Sequence, residues 1–463
     1  MHLCYFSNHS CQSRKSCAYN GIIGEIIIYM NILIINNVNL YHGSGIVGLD
    51  LLYEFQKRGH TVKLLVNIFG TDYPEGVISI ETFYLSWKKK IINKLKRILK
   101  LNSSVVIDPK YHFQELNERK YFYKTKIILK KAKIKPDVIL ALFIKDFINT
   151  RNIFELNQIT NAPIYWLMYD MAPFTGGCHY AWNCKGYQSS CGNCPGLYSS
   201  DPCDLTYHNL MFKKDYISKT NIQIIAGSEW QYRQAKCSSL FKNVPVHKIL
   251  LSINPSVFKP IDKEKIRLQM GIPPDKKVVF FGSMGLTYLR KGMLYLIESL
   301  KLLKEETEKT NPNLGKNIFL LIAGERFEEI ADDLPFESRY LGFLDNSFGI
   351  AAAYQVADAF VCPSIEDSGP MMINQSIMCG VPVVSFEMGV ALDLVETGKT
   401  GYRARFKDSA DMAQGIYYIL TLESDKYKML SNNCRKLALE LYSPEAQIEN
   451  LERIINNSCK VQT

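Results

Sequence analysis

Long apolar runs are missing. None in this chain of 463 residues approaches the roughly 18 residues of a membrane-spanning helix, which argues against a helical span. A secretory signal is missing too. It would need a basic start, an uninterrupted apolar core and a small-residue cleavage site. Residues 1–29 offer only a short apolar patch, Ile22 to Tyr29, broken by Glu25, among Ser, Asn and the cysteines Cys4, Cys11 and Cys17. That leader looks foreign to the fold or disordered, and Met30 is the expected true start. With no export signal, 13 cysteines, an odd number, point to a reducing cytoplasm and away from a disulfide framework. Low-complexity tracts are absent. The balance of 47% hydrophobic to 22% charged residues argues against disorder, and the length suggests two or three domains.

What is present is a succession of short apolar strands, each followed by a loop and a helix. Met30 to Ile35, Thr61 to Val66, Pro136 to Leu142, Pro163 to Met168 and Ile222 to Ala226 read as strands of one half, with Ile222 to Ala226 its last. Lys277 to Phe281, Asn317 to Ala323, Tyr340 to Phe343, Ala359 to Val361 and Val381 to Phe386 read as strands of a second half. Ser228 is placed to cap a helix, and Ser443-Pro444 supplies a cap and first-turn proline for a terminal helix. Alternation of this kind predicts an α/β fold with two Rossmann-like domains. Gly43, Gly45 and Gly48 form a G-x-G-x-x-G after the first strand. By itself this is a weak signal that also fits any tight strand-to-helix turn. No acidic residue stands at the end of strand two, so a dinucleotide cofactor is rejected.

The chain is organised around Val361 to Tyr402, two strand–loop–helix steps in a row. The first loop is Glu366-Asp367-Ser368-Gly369-Pro370. A helix follows from about Met371 to Met378, then Cys379-Gly380-Val381-Pro382-Val383-Val384, then a second loop, Glu387-Met388-Gly389, with Gly398 and Gly401 as later turn glycines. Loops after parallel strands open on the ligand crevice of α/β sheets. This stretch resembles the donor-site signature of retaining family-4 glycosyltransferases of the GT-B fold, whose two glutamates stand eight residues apart before Cys-Gly and Pro-Val-Val. Those positions fall here on Asp367 and Gln375, with Glu366 beside the first. The resemblance covers most of the chain from Met30 onward. It implies two domains facing a cleft: an acceptor-binding half at 30–250 and a nucleotide-sugar-binding half at 251–440. The connection is Ile249 to Pro260, and a terminal helix in 441–463 crosses back to the first domain.

The resemblance also assigns roles. A leaving diphosphate needs fixed cations and helix N-termini, without a metal. Arg290 and Lys291 sit where the family places its phosphate-binding pair, and Ser283 replaces an earlier family Arg. A lone Arg-Lys pair is otherwise an ordinary solvated surface. Asp367 or Glu366 is expected to accept hydrogen bonds from donor-sugar hydroxyls, and Gln375 to contact the ribose. Backbone N–H groups at Gly369 and Gly389, with the Gly43 and Gly45 loop, are expected near the diphosphate. Tyr169-Asp170-Met171 followed by Thr175-Gly176-Gly177-Cys178-His179-Tyr180 resembles a branch containing colanic-acid and O-antigen transferases. There Tyr169 stands in place of a His, and Asp170 is expected to orient or deprotonate the acceptor.

Cys178, Cys184, Cys191 and Cys194 lie in one Gly-rich insertion at 175–203, spaced C-x5-C-x6-C-x2-C. The last pair has the knuckle spacing of structural zinc. Disulfides and unlinked buried thiols remain the competing readings. Trp87 to Leu101 forms a basic amphipathic stretch. Ile91, Ile92, Leu95, Ile98 and Leu99 share one face, with Lys88, Lys89, Lys90, Lys94, Lys96, Arg97 and Lys100 on most of the rest. It suits an anionic membrane surface, or else a solvated helix packed on its own domain. A net charge of +10 suits nucleic acid, anionic lipid or phosphorylated substrates.

The expectation is a cytoplasmic, metal-independent retaining glycosyltransferase, peripheral on the inner membrane face. Its donor is a nucleotide diphosphate sugar, and its acceptor a lipid-linked saccharide of surface-polysaccharide assembly. A sugar-nucleotide 2-epimerase of the same fold would want more than 8 histidines. A catalytically weakened sugar-nucleotide-binding subunit is the rival that the Asp367 and Gln375 replacements raise. Nucleic acid is not an expected partner, because only Lys185 lies among the cysteines.

Overall fold

The computed structural model describes residues 17–18, 27–38, 40, 45–68, 70, 73–81, 106–113, 116–283, 285–324 and 333–460. Trp87 to Leu101 and Gly43 lie outside them. Continuous apolar runs such as Ile32 to Ile35 and Phe319 to Ile322 are buried to the last residue, as strands covered by helices on both faces must be. They form two parallel sheets. The first has seven strands, β1 (Asn31–Ile35), β2 (Thr61–Val66), β3 (Val77–Ser79), β4 (Val138–Ala141), β5 (Ile164–Met168), β6 (Ile222–Ala226) and β7 (Val246–Lys248), in the order β3-β2-β1-β4-β5-β6-β7. The second has six, β8 (Lys277–Gly282), β9 (Ile318–Ala323), β10 (Glu337–Tyr340), β11 (Ala359–Cys362), β12 (Val383–Phe386) and β13 (Gly401–Ala404), in the order β10-β9-β8-β11-β12-β13. The strand order reverses beside β1 and beside β8. Loops at such switch points diverge and leave a crevice.

The structure corrects the strand list at the sheet edges. β6 is not the last strand of its sheet, because the short, polar β7 pairs with it, Ile224 opposite Val246. The strand expected at Tyr340 to Phe343 lies earlier, with Tyr340 opposite Ile322. Gly342 then turns the chain at a φ of +70°, which ends a strand. Gly401 is a strand residue and not a turn. It packs so closely on β12 that an added Cβ would meet the Val383 carbonyl oxygen at 1.9 Å.

The helices that matter for the site are α1 (Gly45–Lys57), α2 (Met371–Met378), α3 (Ser424–Tyr442) and α4 (Pro444–Lys460). The Ser443 hydroxyl accepts from Ala446 N at 3.2 Å at the start of α4. α4 crosses back as expected. Its Ile448, Leu451 and Ile455 join the first domain's core with Ile32, Leu51 and Phe55. Glu452 bonds Arg58 at 2.8 Å and His60 at 3.0 Å. Near the connection, Ser228 Oγ donates to the Ser368 carbonyl at 2.5 Å. Asp393 takes the Glu229 N–H and the Lys248 ammonium, both at 2.8 Å. Among the described residues no helix is long and apolar enough to cross a membrane.

At the opposite end of the second sheet, Asp358 accepts from Val278 N at 2.8 Å, pairs with Arg267 at 2.7 Å and with Lys263 at 3.2 Å. Burial pushes its carboxyl up, but Lys263, Arg267 and the Val278 N–H together hold it below the ordinary range. A depressed carboxylate contributes stability above its unfolded-state pKa and loses it as pH falls through its folded value. Asp358→Ala is expected to cost about 3 kcal/mol or more in urea unfolding at pH 7, with the gap to wild type closing in acid. Equal stability at pH 7 would show that the bridge contributes nothing.

Candidate active site

β8 and β11 lie side by side, and the turns that leave them bring opposite charges together. After β8 the chain turns through Leu289–Lys291 and ends at Gly292, whose φ is +69°. Gly292 is required there, since a Cβ would meet the Pro363 carbonyl oxygen at 1.8 Å. This contact presses the Arg290-Lys291 turn onto the loop after β11. The Arg290 carbonyl accepts from Ile365 N at 2.8 Å. Arg290 Nη1 and Lys291 Nζ then each reach Asp367 Oδ2 at 2.8 Å. Burial opposes a charge on Asp367, but Lys291 and Arg290 outweigh it and hold the carboxyl down to about 2. Glu366, next along the chain, behaves oppositely. Burial, and then the Asp367 charge, push it up to about 7.

A cavity of about 370 Å³ opens beside this cluster, between the two domains. That is the size of a small-molecule site. Ser283, Arg290, Lys291 and Gln375 line it from the second domain, and Ile46, Val47 and Asp50 of α1 from the first. Burial and Glu54 push the Asp50 carboxyl up to about 7. Gln375 Oε1 accepts from the buried Tyr354 hydroxyl at 3.2 Å. Phe343, 55% exposed, and Asn346 stand at the rim. The sequence reading missed both, along with Asp50, although Phe343 follows the Gly342 turn as a large apolar side chain with no strand to hold it.

Residues 262–437 match the family model described as "Glycosyl transferases group 1". That match spans most of the second domain. An uncharacterized glycosyltransferase of Methanocaldococcus jannaschii is 26% identical over 56% of this chain and 64% of its own length. A D-inositol 3-phosphate glycosyltransferase of Catenulispora acidiphila is 26% identical over 36% of this chain and 42% of its own. The chain thus spans less than two thirds of these relatives. Among solved structures, sucrose-phosphate synthase of Thermosynechococcus elongatus superposes with a TM-score of 0.62 at 16% identity, covering 93% of this chain and 99% of that one. HepE of Anabaena, in complex with UDP and glucose, superposes with a TM-score of 0.56 at 16% identity, over 93% and 100%. The fold is GT-B, two Rossmann-like domains facing a cleft.

Several expected site residues sit away from the interdomain cavity. Asp367 touches it only through its two cations, so its Oδ2 is not free to receive a sugar hydroxyl. The Gly369 N–H is spent on Asp367 Oδ1 at 3.3 Å, and Gly369 lines a separate slit of about 10 Å³. Gly389, at a φ of +56°, packs against Pro370 and does not line the cavity. Gly45 opens α1 next to the cavity-lining Ile46. Asp170 lines a smaller pocket of about 50 Å³ with Lys145, Tyr169 and Lys213. A histidine does reach it, from the insertion. His179 Nε2 lies 3.4 Å from Asp170 Oδ2, and burial keeps that imidazole below its ordinary value despite the carboxylate. Lys213 Nζ fixes the turn between them, donating to the Ala172 carbonyl at 2.6 Å and the Thr175 carbonyl at 3.1 Å.

The zinc expectation is corrected. Cys178, Cys184, Cys191 and Cys194 do surround one small cavity, of about 20 Å³. Yet among the described residues no group of three or more His, Cys, Asp or Glu is arranged to hold a metal ion. Burial pushes the Cys178 thiol far up, Cys191 up to about 12 and Cys194 up as well, so at neutral pH these thiols are protonated. Cys203 and Cys237 are exposed. With iodoacetamide at pH 7, Cys203 and Cys237 are expected to alkylate first, with the half-buried Cys178 and Cys191 modified more slowly, as read by peptide mass spectrometry. Early labelling of Cys191 would contradict the burial.

Proposed function

We propose that this chain is a retaining glycosyltransferase using a nucleoside diphosphate sugar. The observation that carries the reading is the pair Arg290 and Lys291. Both are anchored 2.8 Å from Asp367 on the wall of a cavity of ligand size, and among the described residues Arg290 Nε is buried without a partner. Cations held in place before the reaction stabilise charge as it develops on a leaving diphosphate. The bond from the anomeric carbon to the phosphate oxygen breaks as the acceptor oxygen attacks from the same face, and the acceptor proton passes to the leaving phosphate. Retention follows from that geometry, and no metal enters. The Gln375 amide, with its oxygen taken by Tyr354, offers N–H groups to a ribose oxygen. Asp170, with His179, holds the acceptor hydroxyl from the first domain. The solved relative bound to UDP-glucose makes UDP the first nucleotide to try.

Calorimetry with UDP, GDP and ADP tests this reading. One of the three is expected to bind, and Arg290→Ala and Lys291→Ala are each expected to lower turnover by about 100- to 1,000-fold with the fold intact. Near-normal turnover in either variant would place the diphosphate elsewhere.

The acceptor we propose is a lipid-linked saccharide in surface-polysaccharide assembly, met at the cytoplasmic membrane face. The basic stretch from Trp87 to Leu101 supports this, each lysine near an anionic surface contributing about 1 kcal/mol. Wild-type protein is expected to float with anionic vesicles. It should be released by high salt or by replacing Lys88, Lys89, Lys90 and Lys94 with Gln. A wild-type protein that never floats would point to a soluble acceptor.

A further inference from the structure

The cysteine-bearing insertion belongs to the first domain, but its side chains cross to the second. Trp182 packs against the second domain's core. Its indole N–H donates to the Lys110 carbonyl at 2.8 Å, which ties the insertion to the turn bearing Tyr111 and His112. That turn holds the insertion in return, since the Tyr111 and His112 carbonyls accept from His179 N at 3.0 and 2.9 Å. Tyr180, 6% exposed, is thereby presented to the cleft. Its ring lies under the Arg290 guanidinium, 4.6 Å from centroid to Cζ. Tyr288 flanks the same guanidinium at 5.8 Å. His112 closes the third side, edge-on to Tyr288 at 5.1 Å and to Tyr180 at 5.9 Å.

We infer that Tyr180 is a positioning residue for Arg290, so that the insertion of one domain sets the diphosphate-binding cation of the other. Asp367 fixes one corner of the guanidinium through Nη1, which leaves rotation about that contact open. An aromatic face removes the rotation, because a guanidinium is attracted flat to the ring. Arg290 Nε is then held inward, buried and, among the described residues, without a hydrogen-bond partner. His112 suits this box as a neutral ring. Burial and the charges of Arg290 and His179 keep its pKa low, so it adds no competing charge beside the cation.

The inference rests on the diphosphate reading, and one calorimetric series separates the two. The probes are UDP, GDP and ADP and their nucleosides, the tightest diphosphate being carried forward. Tyr180→Leu is expected to weaken diphosphate binding about tenfold and to leave nucleoside binding unchanged. Tyr180→Phe, which keeps the ring, restores it. Tyr288→Leu, on a residue 46% exposed and so not dependent on core packing, lowers diphosphate affinity in the same selective way. In an Arg290→Ala background Tyr180→Leu changes nothing further. Equal weakening of nucleoside and diphosphate, or an undiminished Tyr180→Leu effect without Arg290, overturns the positioning role. Wild-type protein that binds none of the three diphosphates overturns the transferase reading itself.

Discussion

Asp367 carries its charge where burial opposes it, and two adjacent cations keep it there. A lone buried carboxylate would take up a proton, as Glu366 beside it is poised to do near neutrality. The pairing works in both directions. Without Asp367, Arg290 and Lys291 would face each other, each side chain no more than 16% exposed, and would turn away toward water. Asp367 is therefore less a group free to touch a ligand than the counterion that holds Arg290 and Lys291 in place. The Gly292 turn, the Arg290 carbonyl and the aromatic box all serve that one cluster.

Much of the fold was legible because parallel strands buried on both faces leave continuous apolar runs, and these name themselves in any sequence. Helix α2 was read at its observed bounds because Pro370 and Gly380 punctuate it. Edges were harder. β3 and β7 are short and half-exposed, so neither carries a periodicity to detect. Gly401 was taken for a turn because a sequence shows only that a side chain is missing, not that a neighbouring carbonyl fills the space.

The site was legible in its charges and less so in its contacts. The family resemblance brought Arg290, Lys291 and Asp367 into one expectation, and the structure joins them because their strands are neighbours and adjacent strand ends bring their loops together. The Gly369 N–H turns to Asp367 because a backbone N–H has one direction, which residue identity does not encode. The cysteine cluster failed for a related reason. C-x2-C fixes the separation of two Cα atoms along the chain, whereas zinc needs four sulfurs aimed at one point. His179 next to Asp170 follows from the insertion folding back on β5, a contact with no local signal.

The return of α4 to the first domain means that the polypeptide passes between domains twice, once at Ile249 to Pro260 and again where α3 gives way to Pro444. Two strings attached at separate points restrain a hanging body in a way that one string does not. With a single connector the second domain would be free to bend, twist and swing. With two, anchored by Glu452 on Arg58 and by Asp393 on Lys248, it keeps chiefly the rotation about the line that joins the crossings. The cleft is in effect a door on two hinges, and each opening brings the same walls back to the same alignment.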